Sequence, residues 1–141
     1  MMRSTLPVRV LVLLAVLALN ACASNQPRAV IPEPPKAATP TGRVELGVAS
    51  WHGPSPRSGQ SRTASGKRWS NSELIAAHKT LRLGTFVRVT HLGNKKEVVV
   101  QIIDRGPYIK GRVVDLSPRA AEAIGIKKSG VGKVRVEVVR L

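Results

Sequence analysis

The stretch that most constrains the fold of this chain is Val98–Ile103, in which five of six residues are Val or Ile. Such a run, bounded by turn residues, is typical of a strand that is buried on both faces. Asp104 follows directly, and Gly106 and Pro107 then require the chain to turn. Asp104 is therefore predicted at the mouth of a buried strand, where rigid scaffolds often present functional side chains. The same local pattern also fits an aspartate that caps the turn and pairs with Arg105 or another basic residue.

The N-terminal residues 1–21 have the pattern of an export signal. Arg3 and Arg9 precede or begin an apolar segment, Val10–Leu19, that is too short for a permanent membrane span. Cys22 follows a Leu-Asn-Ala triplet that resembles the lipobox of bacterial lipoproteins, and it is the only cysteine. It cannot form an internal disulfide. Because a lone free thiol would be exposed and reactive, we expect Cys22 to be lipidated. Ala23 resembles an outer-membrane sorting signal, which predicts an anchor in the Gram-negative outer membrane facing the periplasm.

Residues 22–42 are predicted to be a tether between this anchor and the folded domain, which is predicted over residues 43–141. The segment from Asn25 to Thr41 is rich in Pro, Ala and Thr, and it has too little apolar surface to offset the entropy of folding.

The formal net charge is +15, a value that often indicates nucleic-acid binding. Export and the scarcity of aromatic residues for base stacking argue against that partner. Anionic cell-wall polymer or phospholipid head groups are the expected alternatives. The charge is also compatible with a role in solubility alone.

The pattern of the remaining chain predicts a mainly β domain with about six strands and two short helices. Closure into a small barrel is expected because it removes exposed strand edges. Ser70 and Glu73 fit a capping box for a first helix ending at His78, and Ser117 with Pro118 opens a second one that ends at Gly125. The predicted strands are Val44–Trp51, Thr85–Thr90, Glu97–Asp104 (after a hairpin tip at Gly93–Lys96), Val113–Leu116 and Val134–Val139.

Several motifs, in this order, resemble the rare lipoprotein A (RlpA) family: Gly47–Gly53, Thr63–Gly66, Ala76–Thr85, Asp104–Tyr108 and Asp115–Ser117. The resemblance implies a double-psi β-barrel, a fold shared with expansins. It also implies a septal lytic transglycosylase that cleaves peptidoglycan glycan strands, preferably those without stem peptides. Some members carry a C-terminal SPOR domain, and none is expected here. A monomer without cofactor or metal is expected.

The resemblance makes Asp104 the candidate acid/base residue and His78 its assistant, which would orient Asp104 or bind sugar. One carboxyl suffices for a lytic transglycosylase, because the 6-hydroxyl of the sugar itself attacks the anomeric carbon. From its position alone, without the surrounding motif, His78 is better explained as a helix-end residue. The substrate-binding residues predicted from the motifs are Trp51, Lys67, Arg68, Trp69, Arg105 and Tyr108.

The chain departs from the family where the pattern reads Gly-Glu-x-Phe-Asp, because Lys67 and Ser70 replace the Glu and the Asp. A cation at position 67 would favour ionised Asp104 and oppose its use as an acid. Two hypotheses therefore remain open from the sequence. The first is a lytic transglycosylase, and the second is an impaired, expansin-like module that binds peptidoglycan through its basic and aromatic residues.

Overall fold

The computed structural model describes residues 38–53 and 62–141, which belong to one compact unit, Ile31–Leu141. The predicted export signal, the lipidation site Cys22 and the tether up to residue 37 lie outside the described residues. None of the helices in the two described ranges is long and apolar enough to cross a bilayer.

The described residues form a closed six-stranded barrel with the strand order β1-β5-β2-β4-β3-β6. This confirms the predicted mainly β barrel. The elements are β1 (Thr39–Trp51), β2 (Ile75–His78), β3 (Phe86–His91), β4 (Glu97–Asp104), β5 (Arg112–Leu116), α1 (Pro118–Ala123) and β6 (Val131–Arg140).

The first strand begins earlier than the sequence pattern predicts. Thr39 pairs with Arg140 and Pro40 with Val139, and the ladder resumes at Val44 after Gly42, which has a positive φ of 93°. Pairing with β6 uses backbone groups, so these residues need no apolar side chains to join the sheet. The described end of the predicted tether is therefore part of β1.

The prediction of a first helix, from Ser70 to His78, is wrong. Residues 75–78 form β2, which pairs in parallel with β4 and antiparallel with β5. The hydroxyl of Ser70 accepts a hydrogen bond from the backbone N–H of Ser72 and contacts its hydroxyl, so it forms a local turn in place of a helix cap. Burial of all four β2 residues overrides the helical signal, and α1 is the one helix in the described ranges.

The barrel interior is filled by aliphatic side chains from the strands and from α1 with its C-terminal turn. The largest fully buried ones include Ile102, Leu116, Ile124 and Ile126. Ser117 caps α1 as predicted, since its hydroxyl accepts from the N–H of Ala120. The same hydroxyl donates to the carbonyl of Glu73 at 2.6 Å, so it also fixes the segment that leads into β2.

We predict that Ser117→Ala lowers the free energy of unfolding by about 1–2 kcal/mol. The fully buried hydroxyl serves both the Ala120 N–H and the Glu73 carbonyl, and the substitution leaves both unpaired. Urea denaturation followed by tryptophan fluorescence measures the change. The control is Ser72→Ala, which removes an exposed hydroxyl and should alter the value by less than about 0.5 kcal/mol. Equal values for the two variants would contradict the proposed role of Ser117.

Candidate functional site

The two aspartates of the chain lie in one row across the barrel wall. Ala77 of β2 is paired with Asp104 of β4 on one side and with Asp115 of β5 on the other. Ser50 of β1 is in turn paired with Asp115. Directly paired residues share a face of the sheet, and two strand spacings put the Cα atoms of the aspartates about 10 Å apart.

A bulge in β4 places Asp104 in this row. Ala76 is paired with Ile102, but the next residue, Ala77, is paired with Asp104, so β4 contains one extra residue at Ile103. A bulge reverses the alternation of side chains from that point on. Val114 and Leu116 on either side of Asp115 point into the core, so the row lies on the outer face of the barrel wall.

Asp104 is half-buried beneath the segment 62–68. Its Oδ1 accepts hydrogen bonds from the backbone N–H groups of Ala64, at 3.0 Å, and of Arg105, at 2.8 Å. The segment is also held by the N–H of Ser65, which donates to the carbonyl of Ile103. The carboxyl therefore caps its turn, but the alternative of a pair with Arg105 is wrong. The guanidinium of Arg105 donates instead to the carbonyls of His78 and Leu81.

His78 is 2% exposed, and its described contacts do not include Asp104. Its Nδ1 accepts from the N–H groups of Thr80 and Leu81, both at 3.2 Å, so the ring proton is on Nε2 and is donated to Glu45 Oε2 at 3.0 Å. Burial lowers the pKa of His78, and the hydrogen bond to Glu45 opposes this effect. His78 thus shapes the turn after β2, and the structure does not join it to Asp104.

His52, which sequence analysis did not select, is the histidine that meets the row. Its Nδ1 is hydrogen-bonded to Oδ2 of Asp115, whose Oδ1 accepts from the hydroxyl of Ser50 at 3.0 Å. The hydrogen bond to Asp115 raises the pKa of His52, burial opposes this, and the charges of Asp115 and Asp104 add to the rise. The only signal in the sequence was that His52 and Asp115 fall in two of the resembling motifs.

Trp69 lies flat against the imidazole of His52. The ring centroids are 4.3 Å apart and the planes are inclined by 16°. The indole N–H of Trp69 also donates to the carbonyl of His52 at 3.2 Å. Trp69 is therefore a half-buried wall of the site that fixes both the ring and the backbone of His52.

The other residues predicted to bind substrate divide into two groups. Lys67, Arg68 and Tyr108 are exposed, Tyr108 to 79%. The ammonium group of Lys67 donates to the side chain of Gln101 at 3.2 Å. Trp51 packs against the core and donates to the carbonyl of Lys127, and Arg105 makes the internal contacts described above. In residues 38–53 and 62–141, no cluster of three or more His, Cys, Asp or Glu side chains is arranged to hold a metal ion.

Comparison with known proteins gives consistent matches in this region. A family model described as "Lytic transglycolase" matches residues 44–136. A relative from Synechocystis sp., named "Probable endolytic peptidoglycan transglycosylase RlpA", is 51% identical over 104 residues, which are 74% of this chain and 32% of the relative. This chain spans about a third of the length of the curated relatives that it matches first.

Two solved structures share the fold. The Streptomyces papain inhibitor has a TM-score of 0.57 at 21% identity, over 72% of this chain and 99% of that one. The apo expansin of Clavibacter michiganensis has a TM-score of 0.51 at 24% identity, over 70% of this chain and 51% of that one. With the closed six-stranded ring, these likenesses confirm the predicted double-psi β-barrel.

We predict that His78→Ala lowers the free energy of unfolding by about 2–4 kcal/mol at pH 7, because two N–H groups of the turn lose their acceptor. The difference from the wild type should shrink as the pH falls from 7 to 5. Folding lowers the pKa of His78 in the wild type below its ordinary value of 6.5. As the pH falls, the unfolded wild type therefore takes up this proton more readily than the folded one, which destabilises the wild type but not the variant. Urea titrations at several pH values measure both effects.

The control for this prediction is His91→Ala. The Nδ1 atom of His91 accepts from one exposed N–H group, that of Asn94, so a smaller loss is expected. A His78→Ala variant as stable as His91→Ala at pH 7 would contradict the structural role of His78.

Proposed function

This chain belongs to the RlpA family of lytic transglycosylase domains, and we propose on that premise that it is an endolytic transglycosylase of peptidoglycan glycan strands. The observation that carries the proposal is the half-buried carboxyl of Asp104, at the end of β4 and under the segment 62–68. Its relatives are named for this activity, but the chain spans only about a third of their length, so the activity is proposed for it.

The reaction requires two proton transfers and no water. One proton goes to the oxygen that leaves the anomeric carbon, and one is taken from the 6-hydroxyl that attacks this carbon and closes a 1,6-anhydro ring. Asp104 is the proposed acid/base residue. Among the described residues, all hydrogen bonds to its carboxyl involve Oδ1, so we assign the proton transfer to Oδ2.

Strands without stem peptides are the proposed substrate. Removal of the peptide exposes the lactyl carboxylate of each muramyl sugar, and this negative charge suits the exposed cations Lys67 and Arg68. Tyr108, four residues after Asp104 in the chain, offers an exposed aromatic face for an apolar sugar face. His78 contributes to this site by holding the turn that also binds Arg105.

We also propose that the domain acts as a monomer, tethered through lipidated Cys22 to the outer membrane on its periplasmic side. The support for the lipid anchor is the sequence of residues 1–42, in which a predicted export signal precedes a lone cysteine and a proline-rich stretch.

A second candidate function is a non-catalytic module that binds peptidoglycan. Lys67 and Ser70 stand where the family pattern has carboxyls, and their described contacts are with Gln101 and Ser72. Neither side chain supplies a carboxyl group at these positions. Under this alternative the exposed cations Lys67 and Arg68, together with Tyr108, bind the glycan strand without cleaving it.

We predict that the full chain in detergent releases 1,6-anhydro ends from peptide-free glycan strands, and that Asp104→Asn lowers the rate at least about 100-fold. Mass spectrometry of the products measures the ends. The matched control is Glu122→Gln on α1, whose carboxylate lies at 3.7 Å from Lys127 and which should keep the wild-type rate. No anhydro product from the wild type, together with cosedimentation with peptidoglycan, would leave only the binding module.

We predict that Lys67→Glu combined with Ser70→Asp raises the rate about tenfold, because it returns two carboxyls to the rim of the site. Lys67→Gln combined with Ser70→Asn is the control, since it removes the cation without adding carboxyls. The rate of anhydro-end formation measures both variants. If the rates of both double variants rise equally, removal of the Lys67 charge is the cause of the increase. The missing carboxyls then do not limit the rate.

A further inference from the structure

His52 is held in one orientation by described contacts on two sides. Its Nδ1 is bonded to Asp115, its ring lies flat on Trp69, and its carbonyl accepts from the indole of Trp69. Asp115 is itself fixed by the hydroxyl of Ser50. A carboxylate on one ring nitrogen fixes the tautomer and leaves the other nitrogen to exchange a proton, which is how proteins orient an imidazole for catalysis. Among the described residues, Nε2 of His52 has no hydrogen-bond partner.

The His52–Asp115 pair lies on the same face of the barrel wall as Asp104. Asp115 and Asp104 are both paired with Ala77, so they lie on one face about two strand spacings apart. His52 extends from the end of β1 over this face, and its side chain is 41% exposed. The imidazole and the Asp104 carboxyl are therefore separate proton-transferring groups that border the same surface.

We propose that His52, positioned by Asp115, is the proton donor to the leaving oxygen, while Asp104 accepts the proton of the attacking 6-hydroxyl. This inference rests on the proposed function, because it assigns to two residues the transfers that one carboxyl would otherwise make in turn. Asp115 is a positioning residue here, since it acts through His52.

The step balances without water or any co-reactant. The Nε2 proton of the His52 imidazolium passes to the glycosidic oxygen as the bond to the anomeric carbon breaks. The 6-oxygen then bonds to that carbon, and its proton passes to the Asp104 carboxylate. His52 ends neutral and Asp104 ends protonated, so one proton must move from the carboxyl to the imidazole, directly or through solvent, before the next turnover.

The charges around His52 favour the form that this role needs. The groups that face it are Asp115 on β5 and Asp104 on β4, both acidic, with the neutral Trp69 against its ring. They hold the pKa of His52 above its ordinary value of 6.5 against the effect of burial. A raised pKa favours the imidazolium. The imidazolium can replace an acid in a chain whose sequence has Lys67 where the family pattern has Glu.

The test compares His52→Gln with the wild type, as full chains in detergent, on two substrates. The first is peptide-free glycan strands, and the second is a short muramyl glycan with a 4-nitrophenyl leaving group, which departs without protonation. We expect His52→Gln to lose about 100-fold on strands and less than about tenfold on the aryl substrate. Asp104→Asn should lose activity on both. Activity on the aryl substrate also shows that the His52→Gln variant is folded.

The pH profile supplies a second readout. The wild-type rate on strands should fall as the pH rises through the raised pKa of His52, because the acid loses its proton. Asp115→Asn should move this fall in rate to lower pH, because it removes the main cause of the raised pKa of His52. A merely structural change would not move the profile. His91→Gln, at the β3–β4 hairpin, is the matched control and should keep the wild-type profile.

The outcomes separate this inference from the proposed function. Wild-type rates for His52→Gln on strands, or an equal loss on both substrates, would overturn the role of His52 and leave the transglycosylase activity in place. An unmoved profile in Asp115→Asn would overturn the role of Asp115. No anhydro product from the wild type on either substrate would remove the proposed function, and this inference with it.

Discussion

The pairing of one short strand with two neighbours is the constraint on which the site depends. All four residues of β2 are buried, and the strand joins β4 on one side and β5 on the other. Ala77 thereby brings together two aspartates that stand at the ends of different strands. The buried pairing also explains why Ile75–His78 cannot be a helix, because helical backbone would leave β4 and β5 without a partner here.

The polar residues around this row have distinct duties that their types alone do not reveal. Arg105 and His78 both face inward and serve backbone groups of the turn after β2, so they stabilise the scaffold on which Asp104 stands. His52 and Trp69 stack on each other next to Asp115. Burial outweighs the hydrogen bond to Glu45 and lowers the pKa of His78, whereas the hydrogen bond to Asp115 outweighs burial and raises the pKa of His52. The two pKa shifts run in opposite directions for this reason.

The fold by itself does not decide what this chain does. The barrel is shared with a Streptomyces papain inhibitor and with an expansin at 21% and 24% identity, and one fold commonly carries unrelated functions. Any catalysis by this chain therefore depends on the side chains at the site. The carboxyl of Asp104 is present and half-buried, while Lys67 and Ser70 replace the acidic residues of the family pattern. Under our proposal, the His52–Asp115 pair supplies the acid in their place.

The sequence alone determined the features that depend on neighbours along the chain. The strand that ends at Asp104, the β3–β4 hairpin and the start of α1 at Ser117 were predicted, because turn residues, a capping hydroxyl and apolar runs act locally. The motifs also identified the family and placed Asp104 at the mouth of its strand. Tertiary structure decided that residues 75–78 are a strand, that a bulge turns Asp104 outward, and that His52 meets Asp115, which lies 63 residues away. Burial and pairing between distant segments outweigh local preference at these positions, and no local pattern records which distant residues will meet.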